Sequence, residues 1–248
     1  MKESFCLRTG ASLGAAERKF RTAIWIFAIT VCLASLIYSL SLSDGSMILM
    51  SLGSFIIVTV PFLSSKLCRF EMNTCFFVFV ELYALGPLLG EVYLFYERIK
   101  AWDVILHTVG GFVFAAFGAH IGTLLSGERG STVLMRICFA IAFSVTLSVL
   151  WEFTEYGADM LLGTDMQRDT LLSEISSYHL SNEMGVVESI KGIEDVTVNG
   201  EALGLDGYLD VGLHDTMQDM LVETAGAMIF ALYSLFDKGR HEPIYKTA

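Results

Sequence analysis

Long apolar stretches alternate with short polar ones along most of this chain. Six stretches are long enough to cross a bilayer as helices, which takes about 17–25 residues; they lie at 20–43, 46–64, 75–97, 102–125, 133–156 and 216–236. A polar segment at 157–214 separates the last two. The pattern predicts an all-α membrane protein, a six-transmembrane-helix bundle with a small extracytoplasmic α+β insertion between helices 5 and 6.

The positive charges predict the orientation of this bundle. Twelve of the 16 Lys and Arg residues fall in segments that share one side if the N-terminus is cytoplasmic. Cytoplasmic loops are enriched in these residues, so the protein is expected in the bacterial cytoplasmic membrane with both termini on the cytoplasmic side. The expected parts are a cytoplasmic tail (1–19), helices 1–5 (20–156), the extracytoplasmic segment (157–214), helix 6 (215–236) and a second cytoplasmic tail (237–248).

Composition agrees with a multi-pass protein whose partner is the lipid bilayer. The chain is 54% hydrophobic and 17% charged, with a mean hydropathy of +0.58, outside the balance of soluble domains. Its net charge of −11 comes largely from 157–214, where 11 acidic residues face only Arg168 and Lys191. The sequence has no basic patch with interleaved aromatics, so no nucleic acid partner is expected. The five cysteines form no CxxC pair, and a disulfide framework is not expected.

Glycine and proline predict local features of the bundle and of the insertion. Gly86-Pro87 predicts a kink in the third apolar stretch. Gly111, Gly118 and Gly122, with other small residues at helical spacing, predict close packing of the fourth helix. In the insertion, residues 167–180 predict a short amphipathic helix, and Thr197-Val198 before Asn199-Gly200 predicts a tight hairpin. The insertion is either a lid over the bundle or a solvated acidic loop.

Acidic residues cluster at the outer ends of four predicted helices. Asp103 and His107 are four residues apart and share one helix face at the membrane boundary marked by Trp102. With the orientation above, eight carboxylates reach a similar depth: Glu91, Asp103, Glu152, Glu155, Asp159, Asp215, Asp219 and Glu223. Such residues turn toward a bundle interior or a wet cavity. We expect His107, Glu152, Glu155 and Asp219 to approach within about 4–8 Å of one another.

This cluster predicts cation or proton binding, because eight neighbouring carboxylates do not all stay ionised unless they spread into water. An imidazole with carboxylates suits zinc, manganese or iron, and an all-oxygen subset suits magnesium or calcium. The candidate metal ligands are His107, Glu152, Asp215, Asp219 and Glu223. His120 and Glu81 lie nearer the inner side; we interpret His120 as structural and leave Glu81 unassigned.

Two classes of function fit these residues. The first is a membrane enzyme acting on a lipid-linked or cell-envelope substrate, with Glu155, Asp103 and Arg168 as catalytic candidates. Arg168 would meet an anionic head group, or else be a surface arginine paired with Asp165 or Asp169. The second is an ion-coupled transporter, which needs polar residues in the inner halves of the helices. Few are present, which favours a one-sided site. A third hypothesis is a structural membrane protein in which the acids bind a stabilising cation.

Several ordered motifs carry a resemblance to known bacterial families. They are Gly90-Glu91-Val92-Tyr93, Trp102-Asp103-x3-His107-x3-Gly111-Phe112, Trp151-Glu152-x2-Glu155, 163–170 and Asp215-Thr216-x2-Asp219-x3-Glu223-x2-Gly226-Ala227. Over roughly residues 20 to 236 the chain resembles the YjdF-like membrane-spanning proteins. It is also similar, more distantly, to the VanZ-like membrane proteins linked to glycopeptide tolerance, although Glu223 stands where that pattern has Asn. The resemblance implies a multi-pass membrane protein and supports these positions as a site.

Overall fold

The computed structural model describes residues 14–67, 74–126 and 132–236, and most of them are helical. The helices are α1 (Ala15–Leu42), α2 (Gly45–Leu67), α3 (Thr74–Ala84), α4 (Gly86–Val92), α5 (Phe95–Arg98), α6 (Trp102–Ser126), α7 (Val133–Leu162) and α8 (Leu213–Phe236). Among these residues, five helices are long and apolar enough to cross a membrane: α1, α2, α6, α7 and α8. The prediction of a helical, polytopic membrane protein is confirmed at this level.

The third apolar stretch is not one continuous helix. It is divided into α3, α4 and the single turn α5, and the first break falls at Leu85, directly before Gly86-Pro87. Proline lacks the N–H that would continue the α3 ladder, so the predicted kink is a full interruption. A Cβ on Gly86 would lie 2.3 Å from Leu106 Cδ2, and the Gly86 carbonyl accepts a hydrogen bond from the Trp102 indole. The interruption is therefore packed against α6.

Two apolar clusters hold these helices together. In the first, Phe76, Phe77 and Val80 of α3 pack with Val113 and neighbouring small residues of α6. In the second, Ala28 and Cys32 of α1 and Val58 of α2 pack with residues of α3 and α4, namely Ala84, Leu88 and Val92. The α3–α4 segment therefore buries one side against α6 and the other against α1 and α2.

The segment between α7 and α8 contains short antiparallel strands. Strand β1 (Leu171–Leu172) pairs with β6 (Tyr208–Leu209), β2 (Glu174–Ser177) with β3 (Glu188–Lys191), and β4 (Thr197–Val198) with β5 (Glu201–Ala202). Residues Trp151–Asp219 form a compact unit. Because β1 and β6 pair near its two ends, the intervening hairpins are closed off into a small subdomain.

One local prediction in this segment is confirmed and one is wrong. Thr197-Val198 enters a two-residue turn in which Asn199 and Gly200 have φ values of 55° and 86°, as a type I′ hairpin requires. Residues 167–180 do not form the predicted amphipathic helix; they contain β1, β2 and a 3₁₀ turn at Tyr178–Leu180. Pairing of β1 and β2 with distant strands overrides the weak local helical pattern.

Candidate functional site

Three buried carboxylates from two helices lie side by side in the unit formed by Trp151–Asp219. They belong to Glu152 and Glu155 of α7 and Asp219 of α8, and each offers an oxygen within 4.8 Å of the others. Their exposed fractions are 4%, 6% and 1%. We name this group the carboxylate triad. Of the residues predicted as a site, these three are brought together by the fold.

The spacing of residues in α7 explains how two acids become buried at its end. Glu152 and Glu155 are three residues apart and share one face, whereas Phe153 and Tyr156 on other faces are 66% and 56% exposed. In a membrane helix the apolar side chains face lipid, and the acids turn to the protein interior. The same buried face continues toward the start of α7 through Ser148 and Ser144.

His107 lies between two carboxylates. Its Nε2 is 3.7 Å from Asp103 Oδ1 on the preceding turn of α6, and its Nδ1 is 3.6 Å from Glu223 Oε2 of α8. His107 and Glu223 are 9% and 3% exposed. An imidazole with a carboxylate on each nitrogen is suited to donating a proton to either side or to binding a cation together with them. We name this group the histidine group.

Two glycines allow α6 and α8 to come this close. A Cβ on Gly111 would lie 1.9 Å from the Glu223 carbonyl oxygen, and one on Gly226 would lie 2.0 Å from the Thr108 carbonyl oxygen. The two backbones are therefore in direct contact one turn beyond His107. The Gly111 carbonyl also accepts a hydrogen bond from Ser144 of α7, at 3.1 Å. Close packing of the fourth predicted helix is confirmed. Its small residues did not indicate which helix it packs against, and the structure shows that this contact is made by Gly226 of α8.

The other predicted acids have local roles in the described residues. Asp159 accepts hydrogen bonds from the backbone N–H groups of Met166 and Gln167, at 2.7 and 2.8 Å. Asp215 accepts one from the backbone N–H of Arg168, at 3.0 Å. Both acids therefore fix the path of the chain where it leaves α7 and approaches α8.

Glu91 contacts a serine of α2 and belongs to neither group. Its Oε1 accepts a hydrogen bond from Ser46 of α2, whose hydroxyl is also 2.9 Å from Asp44 Oδ1. The eight carboxylates that the sequence placed at one depth are thus divided among four settings. These are the carboxylate triad, the histidine group, the backbone contacts of Asp159 and Asp215, and this contact of Glu91. Ser46 lies 45 residues from Glu91, and no local pattern indicated the pairing.

The chemistry of the carboxylate triad follows from its spacing and burial. Three ionised carboxylates at this distance and depth repel one another strongly, so at least one must be neutralised by a proton or by a positive group. Carboxylate oxygens are the ligands that magnesium, calcium and manganese prefer, and three protein ligands leave positions for water or substrate. The donor set fits a divalent cation.

Comparison with known proteins identifies the family of this chain. A family model described as "Predicted membrane protein (DUF2238)" matches residues 23–240. An uncharacterized protein from Thermotoga maritima is 38% identical over 81 residues, which is 32% of this chain and 40% of that protein. No solved structure matches the chain. The family match agrees with the resemblance to the YjdF-like membrane proteins, and the resemblance to VanZ-like proteins stays a prediction.

Proposed function

Because the chain belongs to the DUF2238 family of predicted membrane proteins, we propose that it is a multi-pass protein of the bacterial cell membrane that binds a divalent cation at the carboxylate triad. The observation that supports this proposal is the placement of the oxygens of Glu152, Glu155 and Asp219 within 4.8 Å of one another at no more than 6% exposure. A bound cation would offset the repulsion among them.

The histidine group is a second candidate ligand set in this proposal. The two nitrogens of His107 lie 3.7 Å from Asp103 and 3.6 Å from Glu223. His107 serves here as a metal ligand together with Glu223 or as a proton donor. Asp215 is one turn before Asp219 on the same face of α8. In this proposal it binds the cation as an outer ligand, directly or through a bound water.

The proposed activity is a metal-assisted reaction on a lipid-linked or envelope substrate at the extracytoplasmic side. Glu155 would hold the cation with one carboxylate oxygen and act as general base with the other. Asp103 would orient the His107 imidazole, and Arg168 would hold an anionic head group. The backbone of Arg168 is fixed to Asp215 of α8, which supports a guanidinium at the start of the helix that carries Asp219. An arginine fork binds carboxylate or phosphate through two parallel hydrogen bonds.

Metal analysis of the purified full-length protein tests the cation site. Wild-type protein equilibrated separately with zinc, manganese, magnesium and calcium is expected to retain one of them, measured by elemental mass spectrometry and titration calorimetry. Glu155→Gln and Asp219→Asn should each weaken binding by more than about 100-fold, since changes in the outer shell alone cost about 10–100-fold. His107→Ala measures whether the imidazole contributes.

Glu194→Gln is the matched control, because Glu194 is an exposed acid of the segment between α7 and α8. Its affinity should equal that of the wild type. Equal affinity in Asp219→Asn and Glu194→Gln would contradict the cation site. A cation bound by a protein that has no activity on lipid-linked substrates would favour the structural alternative, and cation flux through reconstituted vesicles would favour the transporter.

A further inference from the structure

Glu81 is a fully buried acid remote in sequence from the carboxylate triad and from the histidine group. It lies in α3, its exposed fraction is 0%, and neither carboxylate oxygen has a hydrogen-bond partner among the described residues. Glu81 is also among the largest side chains that are completely enclosed. A carboxyl group in such a place requires a chemical explanation.

The surroundings of Glu81 are those of the second apolar cluster. Glu81 is three residues before Ala84 within α3, so it shares the face of this helix that packs against α1 and α2. That cluster contains Ala28 and Cys32 of α1 and Val58 of α2. The opposite face of α3, with Phe76, Phe77 and Val80, packs against α6.

Within the part of the chain that the structure describes, few titratable groups face Glu81. Cys32 of α1 lies within electrostatic range of it. The membrane-length part of α2, Gly45–Leu63, has no titratable residue in its sequence, and α6 contributes apolar residues such as Val113 and Ala116 to its contact with α3. An ionised carboxylate in apolar surroundings costs far more free energy than one that takes up a proton. Apolar neighbours also cannot supply the five or six oxygen ligands of a metal cation.

Three buried hydroxyl groups of α1 and α2 are engaged with partners other than Glu81. Ser39 Oγ donates to the Ser35 carbonyl and Ser51 Oγ donates to the Met47 carbonyl, each at 2.8 Å. Ser39 Oγ is also 3.3 Å from Ser51 Oγ, and Ser35 Oγ is 3.3 Å from the Tyr93 hydroxyl. All three serines are at most 1% exposed.

The polar groups at the two ends of α3 and α4 are also paired with other residues. At the turn between α1 and α2, Ser46 donates to Asp44 and Glu91. At the start of α3, Thr74 accepts hydrogen bonds from Arg21, at 2.9 and 2.7 Å. These contacts leave Glu81 without a hydrogen-bond partner among the described residues.

We propose that Glu81 is a proton-binding site inside the membrane, which holds a proton at neutral pH. The bound proton removes the charge that the apolar surroundings of this buried carboxyl group would otherwise have to hold. No residue of the carboxylate triad takes part, and the proposal does not depend on a bound metal.

Infrared spectroscopy of the full-length protein in lipid vesicles tests the protonation state. The wild-type protein at neutral pH is expected to show the carbonyl stretching band of a protonated carboxylic acid that Glu81→Gln lacks. Glu91→Gln, the control, should retain it. Glutamine resembles the neutral acid in shape, so the midpoint of thermal denaturation of Glu81→Gln should equal that of the wild type.

Two results would overturn proton binding at Glu81. Identical carbonyl regions in wild type and Glu81→Gln would show that Glu81 is ionised at neutral pH. Loss of the wild-type band on addition of sodium ions would show that the group binds a metal cation instead. Glu81→Asp, which keeps the acid but moves it, should show a shifted band and confirms the assignment if Glu81→Gln folds poorly.

Discussion

Arg168 is the residue at which charge and shape can be separated most directly. Its backbone N–H is fixed to Asp215, so changes to its side chain leave this tie in place. Under the proposed role, Arg168→Lys should lower activity on an anionic substrate nearly as much as Arg168→Ala, because lysine keeps the charge but loses the two-point fork. The measurement is kcat/KM for both variants beside their thermal stability.

An unchanged kcat/KM in Arg168→Ala would remove Arg168 from the site. Lys191→Ala is a suitable control, since Lys191 is a basic residue whose ammonium is 3.0 Å from Glu174 on the neighbouring strand and whose side chain is 72% exposed. Its replacement should leave kcat/KM at the wild-type value, because an exposed ion pair contributes less than about 1 kcal/mol.

Asp210 predicts a pH dependence for the start of α8. Partial burial would raise the pKa of Asp210, but hydrogen bonds from the N–H groups of Thr170, His214 and Gly212, with the nearby His214, outweigh it and lower the pKa. The folded pKa is thus below the unfolded value of about 4. The stability that Asp210 contributes is fully present above pH 4 and is lost as the pH falls through the folded pKa.

Hydrogen exchange of peptides that contain His214 measures this loss. Protection relative to the unstructured chain should be constant between about pH 5 and 7 and fall below about pH 4. Asp210→Asn should be less protected throughout and show little of this fall. Asp206→Asn, at an exposed acid of the same segment, should behave as the wild type. Wild-type protection in Asp210→Asn would exclude the capping role.

At the scale of helices, the contact of α6 with α8 determines the histidine group. A Cβ at Gly111 meets the backbone carbonyl of Glu223, which cannot move without displacing α8. Gly111→Ala is therefore expected to destabilise the protein by about 3 kcal/mol, at the upper end of the usual cost of overpacking, and to weaken cation binding. Denaturation of the purified protein with sodium dodecyl sulfate, followed by circular dichroism, measures the loss.

Gly53→Ala provides the comparison for a helical glycine without a close neighbour. Among the described residues, no heavy atom outside its own helix lies within 4 Å of the Cβ position at Gly53 in α2. Its stability should remain within about 1 kcal/mol of the wild type, the usual difference in helix propensity between glycine and alanine. Equal stability of Gly111→Ala and Gly53→Ala would show that the α6 and α8 backbones are farther apart than described.

At the scale of the whole molecule, the orientation in the membrane remains the prediction that the distribution of Lys and Arg makes. In a background without native cysteines, Lys191→Cys should react with a membrane-impermeant maleimide only from outside the cell. Thr132→Cys, at the exposed start of α7, should react only from the cytoplasmic side. Labelling of Lys191→Cys from the cytoplasm alone would reverse the topology and place the carboxylate triad at the inner side.

The membrane class and much of the helix plan followed from the sequence, because they depend on consecutive residues. The apolar stretches predicted α1, α2, α6, α7 and α8, and most of the predicted helix ends lie within a few residues of the observed ones. The hairpin at Asn199-Gly200 was equally local, since two adjacent residues with positive φ define the turn. Hydropathy averages over a window, so it did not predict that the third stretch is divided at Leu85.

The partners of the acidic residues were decided by the tertiary structure alone. Helical spacing placed Glu152 with Glu155 and Asp103 with His107, but the residues that complete each group come from distant parts of the chain. The role of each acid depends on which helix faces meet. An acid can join the carboxylate triad, accept hydrogen bonds from a loop backbone as Asp159 does, or be enclosed as Glu81 is. Close approach at Gly111 and Gly226 sets one of those meetings, and a periodic pattern in one helix does not contain the identity of its neighbour.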